Sequence, residues 1–391
     1  MKILYLTQFF RSTGGGGEVV FHQWAHELSR RGNEIFVICQ QKGKDCPECL
    51  SLGIHVIGIP PYLDGIGGLP PTLRHNLGYL MISSIVGRSL VHSSQIDVVH
   101  SNNFTPIMAG SAICWNTRIP HIATVHDVYT SAGFWRRWSS QFQVSSLSAL
   151  LGPLVERVTL KAPVRLFHTV SERSRKDMLE FGVNRPIVVI PNGINESKWA
   201  EVNPTIATDT SKPTVLSIGR LVFYKNLEVV ISAFVEVIKE VPAARLVVLG
   251  DGPMRETWTR YAHDLGLDNT VSFKGYVSEK EKARFLHDSA LLVFPTTIEG
   301  FGFAILEAFA CSKPVIASNI EPLTDLVRSS FNGFLANPRD PLDWSTKVTY
   351  LLKNISKATE FGQNGRKLVE SNYSIGPNVD RLVRLYRRVL E

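Results

Sequence analysis

With 391 residues, 44% of them hydrophobic and 20% charged, the chain has the composition of an ordinary globular protein long enough for two domains. It carries no low-complexity tract or short-period repeat, which excludes disordered and solenoid architectures. The net charge of +7 is uneven, since residues 1–190 hold 18 Lys/Arg against 12 Asp/Glu (+6) and residues 191–391 hold 24 against 23 (+1), so an acidic partner such as nucleic acid or an anionic membrane surface would meet the first half.

In chain order, Ile3–Thr7 reads as a strand, residues 14–17 as a glycine loop, and Glu18–Arg31 as a helix with Val19, Val20, Trp24 and Leu28 inward. Gly32 stops that helix and Glu34–Cys39 makes the next strand. Strands follow at His55–Ile59, Asp97–His100, His121–Val125 and Leu166–Val170, with helical segments between several of them. Residues 186–213 form a connection rich in Pro, Asn and Thr. The alternation then restarts with strand Thr214–Ile218, helix Asn226–Glu240 and strands Arg245–Leu249, Val271–Phe273, Leu291–Phe294 and Pro314–Ala317. A last helix, Pro377–Leu390, places Leu382, Leu385, Val389 and Leu390 at helical spacing and needs a surface to pack on. Strand–helix alternation of this kind implies parallel sheets with helices on both faces. The expected division is 1–190, 191–376 and a C-terminal helix 377–391 packed back on the first domain, with the two sheets facing an interdomain cleft.

Lys2 precedes an apolar run that ends by Gln8, too short for a signal peptide. The longest apolar stretch, Leu77–Val91, is broken by Arg88 and too short to span a bilayer, so a cytoplasmic protein is expected. Five cysteines make no disulfide framework in a chain of this length. Cys46-Pro-Glu-Cys49 is a lone CxxC without further ligands at zinc spacing, and reads as a reduced surface loop.

Three constellations carry chemistry. Gly14-Gly15-Gly16-Gly17-Glu18 follows the first strand and opens a helix, where glycines admit a phosphate and the helix N-terminus favours anions. A dinucleotide site would want an acid after the second strand, yet Gln40 and Gln41 stand there, which counts against NAD. Gly219-Arg220 with Lys225 sets two cations at a strand end, suited to a diphosphate, although the same residues also fit a solvated turn. Glu299-Gly300-Phe301-Gly302-Phe303-Ala304-Ile305-Leu306-Glu307 is the most specific. Its glycines expose backbone amides, and its carboxylates are eight residues apart, a rotation of about 80° on a helix, so both can face one ligand. A carboxylate accepts two hydrogen bonds from a diol, which fits a sugar and not nucleic acid. An N-capping Glu followed by a helix-face Glu is the structural alternative.

These residues, with Gly250-Asp251-Gly252-Pro253 and Asn332-Gly333-Phe334-Leu335, resemble the C-terminal domain of the retaining glycosyltransferases of family 4, which have the GT-B fold. In the first half the glycine loop, His126-Asp127, Ser171-Glu172 and Pro191-Asn192-Gly193 are similar too, so the resemblance covers nearly the whole chain. It implies an α/β, GT-B enzyme that moves a sugar from a UDP- or GDP-linked donor onto a glycan or lipid-linked acceptor. Arg220 and Lys225 would neutralise the departing diphosphate in place of a metal, and the chain has no Asp-x-Asp motif. No cofactor is expected. Glu307 would hold the ribose hydroxyls and Glu299 the donor sugar. Amides of Gly300, Phe301, Gly302 and Phe303 would meet sugar and phosphates, with Gly16, Gly17 and Gly219 also lining the donor site. Backbone around Tyr276 would pack the base, and His126 would hydrogen-bond the sugar. Glu321-Pro322-Leu323-Thr324-Asp325 departs from the family's two glycines before an acid, which bears on donor identity.

Acceptors in this fold bind the first domain, here the basic one. Phe134-Trp135-Arg136-Arg137-Trp138 joins aromatics to cations, Leu147–Leu160 is strongly apolar, and Leu63–Leu80 adds glycines, prolines and apolar residues. Each fits core or loop as well; together they suggest a peripheral enzyme on an anionic membrane taking a lipid-linked acceptor. A nucleotide-sugar epimerase of GT-B shape and a non-catalytic nucleotide-sugar-binding subunit are the competing readings.

Overall fold

The computed structural model describes residues 1–12, 16–42, 51–63, 71–129, 134–141, 146–200 and 212–391. Gly14, Gly15, Cys46, Cys49 and the side chain of Trp138 lie outside the described residues. The chain divides into two units, Met1–Asn192 with Gly376–Glu391, and Gly193–Ile375.

In the first unit the apolar runs form β1 (Lys2–Leu6), α1 (Gly16–Arg30), β2 (Glu34–Cys39), β3 (Ile54–Gly58), α2 (Leu73–Ser93), β4 (Val98–Asn102), α3 (Phe104–Cys114), β5 (His121–Val125), α4 (Phe134–Gln141), α5 (Ser146–Leu160), β6 (Leu166–Thr169), α6 (Glu172–Glu180) and β7 (Ile187–Val189). All seven strands pair in parallel, in the order β3-β2-β1-β4-β5-β6-β7. The strands β1, β4 and β5 are buried along nearly their whole length, as expected of a parallel sheet covered on both faces. Residues 187–189, read from sequence as the start of the connection, instead add the edge strand β7. An edge strand has one partner and half-buried side chains, so its three apolar residues give a weak signal.

The second unit holds α7 (Ser197–Ala200), β8 (Thr214–Ile218), a 3-10 turn (Phe223–Lys225), α8 (Leu227–Glu240), β9 (Arg245–Leu249), α9 (Arg255–Asp264), β10 (Val271–Gly275), α10 (Glu279–Asp288), β11 (Leu291–Phe294), α11 (Phe303–Ala310), β12 (Val315–Ser318), α12 (Leu323–Leu326), β13 (Gly333–Ala336), α13 (Pro341–Lys353) and α14 (Ile355–Leu368). Its six strands are also parallel, ordered β10-β9-β8-β11-β12-β13. The Asn332-Gly333 motif is structural here. Asn332 accepts from Arg328 N (2.7 Å) and donates to Leu326 O (2.9 Å), and a Cβ on Gly333 would stand 1.9 Å from Val315 O, so only glycine lets β13 join β12.

The last helix, α15 (Ile375–Leu390), belongs from Gly376 onward to the first unit. It buries Leu382, Leu385, Tyr386 and Val389, while Leu390, expected inward from its spacing, is exposed. Tyr386 reaches into the first sheet, its hydroxyl 3.0 Å from Tyr5 Oη and 2.7 Å from His100 Nδ1.

Candidate functional site

Both sheets reverse their strand order once, between β1 and β4 and between β8 and β11, and open α/β sheets bind ligands at the carboxyl ends of strands beside such a reversal. Of the sequence-marked residues, Gly16 and Gly17 follow β1, His126 follows β5, the neighbour of β4, Gly219, Arg220 and Lys225 follow β8, and residues 299–303 follow β11, whereas Tyr276 follows the edge strand β10.

In the first unit, Gly17 in the first turn of α1 lies against the end of β4. Asn102 donates through Nδ2 to Gly17 O (2.9 Å) and accepts at Oδ1 from His126 Nε2 (3.0 Å). Since the amide nitrogen is spent as a donor, His126 carries its proton on Nε2, leaving Nδ1 as the ring's acceptor. His126 is buried just past β5, and burial, with His168 nearby, pulls it down to about 3, so it is neutral at pH 7. A Cβ on Gly17 would stand 3.1 Å from the His126 ring, so this glycine sets the clearance above the imidazole. Gly16 is the first residue of α1.

In the second unit the loop after β8 and the loop after β11 are stitched together. Tyr224 O accepts from Thr297 N (2.7 Å) and Thr296 Oγ1 (3.1 Å), and Asn226 Nδ2 donates to Pro295 O (3.2 Å). Across this seam Lys225 Nζ donates to Glu299 Oε2 at 2.6 Å, with the ammonium 4.8 Å from the centre of the Phe294 ring. The lysine stem passes over Gly219, its Cε 3.8 Å from where a Cβ would be. Arg220 is exposed beside this pair and donates to Tyr224 Oη (3.3 Å). The Gly250-Asp251-Gly252 turn supports Gly219 from below; Gly250 has φ +127°, and a Cβ there would lie 2.0 Å from Gly219 O. Gly300, Phe301 and Gly302 are buried in the approach to α11, and Gly302 caps that helix at φ +104° with its carbonyl accepting from Ile305 N (3.0 Å), at the helix end where backbone amides favour an anion.

Glu307 does not share the Lys225 pair. It lies on α11 with Oε1 2.9 Å from Lys282 Nζ of α10, and Lys282 also reaches Glu279 Oε1 (3.0 Å) and sits 4.8 Å over the Trp199 ring. Burial raises the Glu307 carboxyl while the Lys282 ammonium opposes that rise; Lys282 is kept charged by its two carboxylates, which outweigh its own burial. Tyr276 stands exposed just past β10, the edge strand. The sequence reading missed Asn102 and Lys282. Lys282 sits in Glu279-Lys280-Glu281-Lys282, a run that looks like a solvated helix start.

Of the Phe134–Trp138 segment, Phe134 and Trp135 pack within the first unit. Phe134 is buried and stacked on Tyr129, and half-buried Trp135 meets Tyr129 and Phe104 and donates to Glu156 Oε2 (3.4 Å). Among the described residues no helix is long and apolar enough to cross a membrane, and no group of His, Cys, Asp and Glu could hold a metal ion.

This architecture and these matched domains define a GT-B glycosyltransferase. Its first half belongs to Glycosyltransferase Family 4, matched over residues 14–198, and its second to Glycosyl transferases group 1, matched over residues 201–368. Among curated proteins it is 23% identical to an uncharacterized glycosyltransferase, MJ1607, of Methanocaldococcus jannaschii, over 100% of this chain and 99% of the relative. It is 27% identical to an alpha-monoglucosyldiacylglycerol synthase of Streptococcus pneumoniae, over 62% of this chain and 56% of that one. Among solved structures, Anabaena Alr3699/HepE, in complex with UDP and glucose, superposes with a TM-score of 0.76 at 18% identity, covering 99% of this chain and 100% of the other.

Proposed function

We propose that this glycosyltransferase takes a UDP- or GDP-linked hexose and transfers it, with retention at the anomeric carbon and without a metal, to an acceptor that is lipid-linked. The observation that carries the donor reading is the Lys225–Glu299 pair bridging the β8 and β11 loops. An ammonium has three donors and Glu299 takes one, so two remain for phosphate oxygens, with Arg220 exposed alongside. Glu299 holds Lys225 through Oε2 and keeps Oε1 for a sugar hydroxyl. His126, neutral and protonated on Nε2, accepts a hydrogen bond from a sugar hydroxyl at Nδ1. Glu307 receives the ribose diol. As the anomeric C–O bond breaks, negative charge grows on the diphosphate and oxocarbenium-like charge on the sugar; the fixed cations stabilise the first. The acceptor hydroxyl attacks from the departing side and passes its proton to the leaving phosphate oxygen. The UDP bound by Alr3699/HepE supports a uridine donor, and the diacylglycerol product named for the pneumococcal relative supports a lipid acceptor.

The test offers UDP- and GDP-sugars singly with lipid and soluble acceptors, in the presence of EDTA. Transfer should proceed with one donor class, and that donor should raise the melting temperature. Activity lost to EDTA and restored by Mg²⁺ or Mn²⁺ would overturn the metal-free mechanism. Donor rearranged without any acceptor product would make the protein an epimerase.

A further inference from the structure

The helix α2 is apolar on two sides. One side, Tyr79, Ser83, Gly87 and Val91, is buried, and Gly87 is so close to α3 that a Cβ there would lie 2.3 Å from Ile113 Cδ1. The opposite side sets Leu73, Leu77, Met81 and Ile85 four residues apart in one stripe, with 53%, 51%, 66% and 70% of their surface exposed. A surface helix that buries one apolar face normally turns a polar face to water, and this stripe departs from that pattern. The stripe runs beside a groove of about 660 Å³ between Pro60, Pro61 and Leu73, Leu77, Gly78 and Ile82. Further apolar residues are exposed on the neighbouring helices. α2 packs along α3, whose C-cap Trp115 is 64% exposed, and α3 packs against α5, where Leu154, Val155 and Val158 are exposed.

Charge selects the occupant. The outward residues around these apolar ones include Arg74, Arg88, Arg118, Arg157 and Lys161, all exposed. From residue 71 to 171 the acids are Asp97, Asp127 and Glu156, and none is exposed; Asp97 accepts from Lys2 N (2.7 Å), and Glu156 is buried under Tyr129 and Trp135. A second copy meeting this face by two-fold symmetry would set cation against cation. We infer that the outward face of α2, with the α3 C-terminus and α5, is a docking surface for an anionic lipid bilayer. Apolar side chains enter the interface and arginines meet the headgroups. The face uses no donor-site residue, so this inference and the donor reading fail separately.

Sedimentation with vesicles of phosphatidylcholine and phosphatidylglycerol, with phosphatidylcholine alone, and without vesicles tests it, with no donor present. The wild type should pellet only with the anionic vesicles, leaving a fraction bound at high salt. The variant Leu77→Ser/Met81→Ser/Ile85→Ser alters exposed residues only and should keep the wild-type melting temperature. Its salt-resistant partitioning should drop at least about tenfold, because three apolar side chains no longer leave water. Arg74→Gln/Arg118→Gln should instead lose binding at low salt. Equal recovery in the supernatant under all three conditions overturns the inference, as does a triple-Ser variant that binds like the wild type. A vesicle-free wild type that sediments as a dimer, and becomes monomeric in the triple-Ser variant, would assign the face to a second copy and overturn it too.

Discussion

Lys225 and Lys282 each hold a carboxylate, but their surroundings give them different work. Lys225 has two ammonium protons left at a strand-order reversal, whereas Lys282 is shared between Glu307 and Glu279 with Lys198 near by (3.4 Å from Glu279). Lys225→Ala should therefore lower kcat for transfer more than it raises the donor KM, because leaving-group charge is largest in the transition state. Lys282 acts through Glu307 as a positioning residue. In Lys282→Met the Glu307 carboxyl loses the cation that opposes its burial, so its pKa rises further and protonation begins at higher pH. The donor KM of that variant should worsen as pH falls, while the wild type stays flat over the same range and Lys282→Arg restores flatness. A variant KM that is raised equally at every pH would mean Lys282 only packs against Trp199. None of this pairing is legible in sequence. The E-x7-E spacing and Gly219-Arg220…Lys225 stand out because their partners are close in the chain or in a motif; Lys282 is 25 residues from Glu307, and its meeting with it depends on how α10 and α11 pack.

At the scale of elements, most strands could be read directly, because a strand buried on both faces must be a short unbroken apolar run, as in Val293-Phe294 or Ile35-Phe36-Val37-Ile38. The strands β7 and β13 could not, since one is a half-buried three-residue edge and the other rests on the Gly333 contact with β12. The histidines inside the first sheet were equally silent; a polar residue in an apolar strand does not announce its partners. Here they join α15 to the sheet by one directed chain. Tyr5 Oη donates to Tyr386 Oη and Tyr386 to His100 Nδ1; His100 Nε2 donates to Thr124 Oγ1 (2.6 Å), Thr124 to His168 Nδ1 (2.9 Å), and His168 Nε2 to Ile190 O (3.0 Å). The carbonyl at the end fixes the direction, since it can only accept. Tyr386→Phe strips His100 Nδ1 of its donor inside the core, a cost of about 1–3 kcal/mol for an unsatisfied buried group. Urea unfolding should show that loss in the midpoint with an unchanged slope; an unmoved midpoint would mean that apolar burial alone holds α15 down.

Four histidines in the first unit make the whole molecule sensitive to acid. Burial lowers His121 and His126 to about 3 and His168 to about 4 from 6.5, and His100 lies well below its ordinary value, with burial first and the neighbouring histidines second as causes. Each folded-state pKa is below the unfolded one, so the unfolded chain binds more protons in acid. The stability these groups contribute is intact above 6.5 and is lost as pH falls from there toward 3–4. Each histidine costs about 1.4 kcal/mol per pH unit in that window, and four would remove roughly 6 kcal/mol by about pH 5.5, comparable with the whole stability of many domains. His263 runs the other way, raised by Asp268, but it is fully exposed and its contribution is screened. Urea-derived stability measured from about pH 8 to pH 5 should stay level down to near 6.5 and then fall with a slope approaching four protons. His121→Asn, which removes one of these groups and leaves the Tyr386 chain intact, should lower that slope by about one proton. A slope of one proton or less in the wild type would show that the buried imidazoles take up protons in the folded state without breaking their hydrogen bonds, and that the chain from Tyr5 to Ile190 is looser than its geometry.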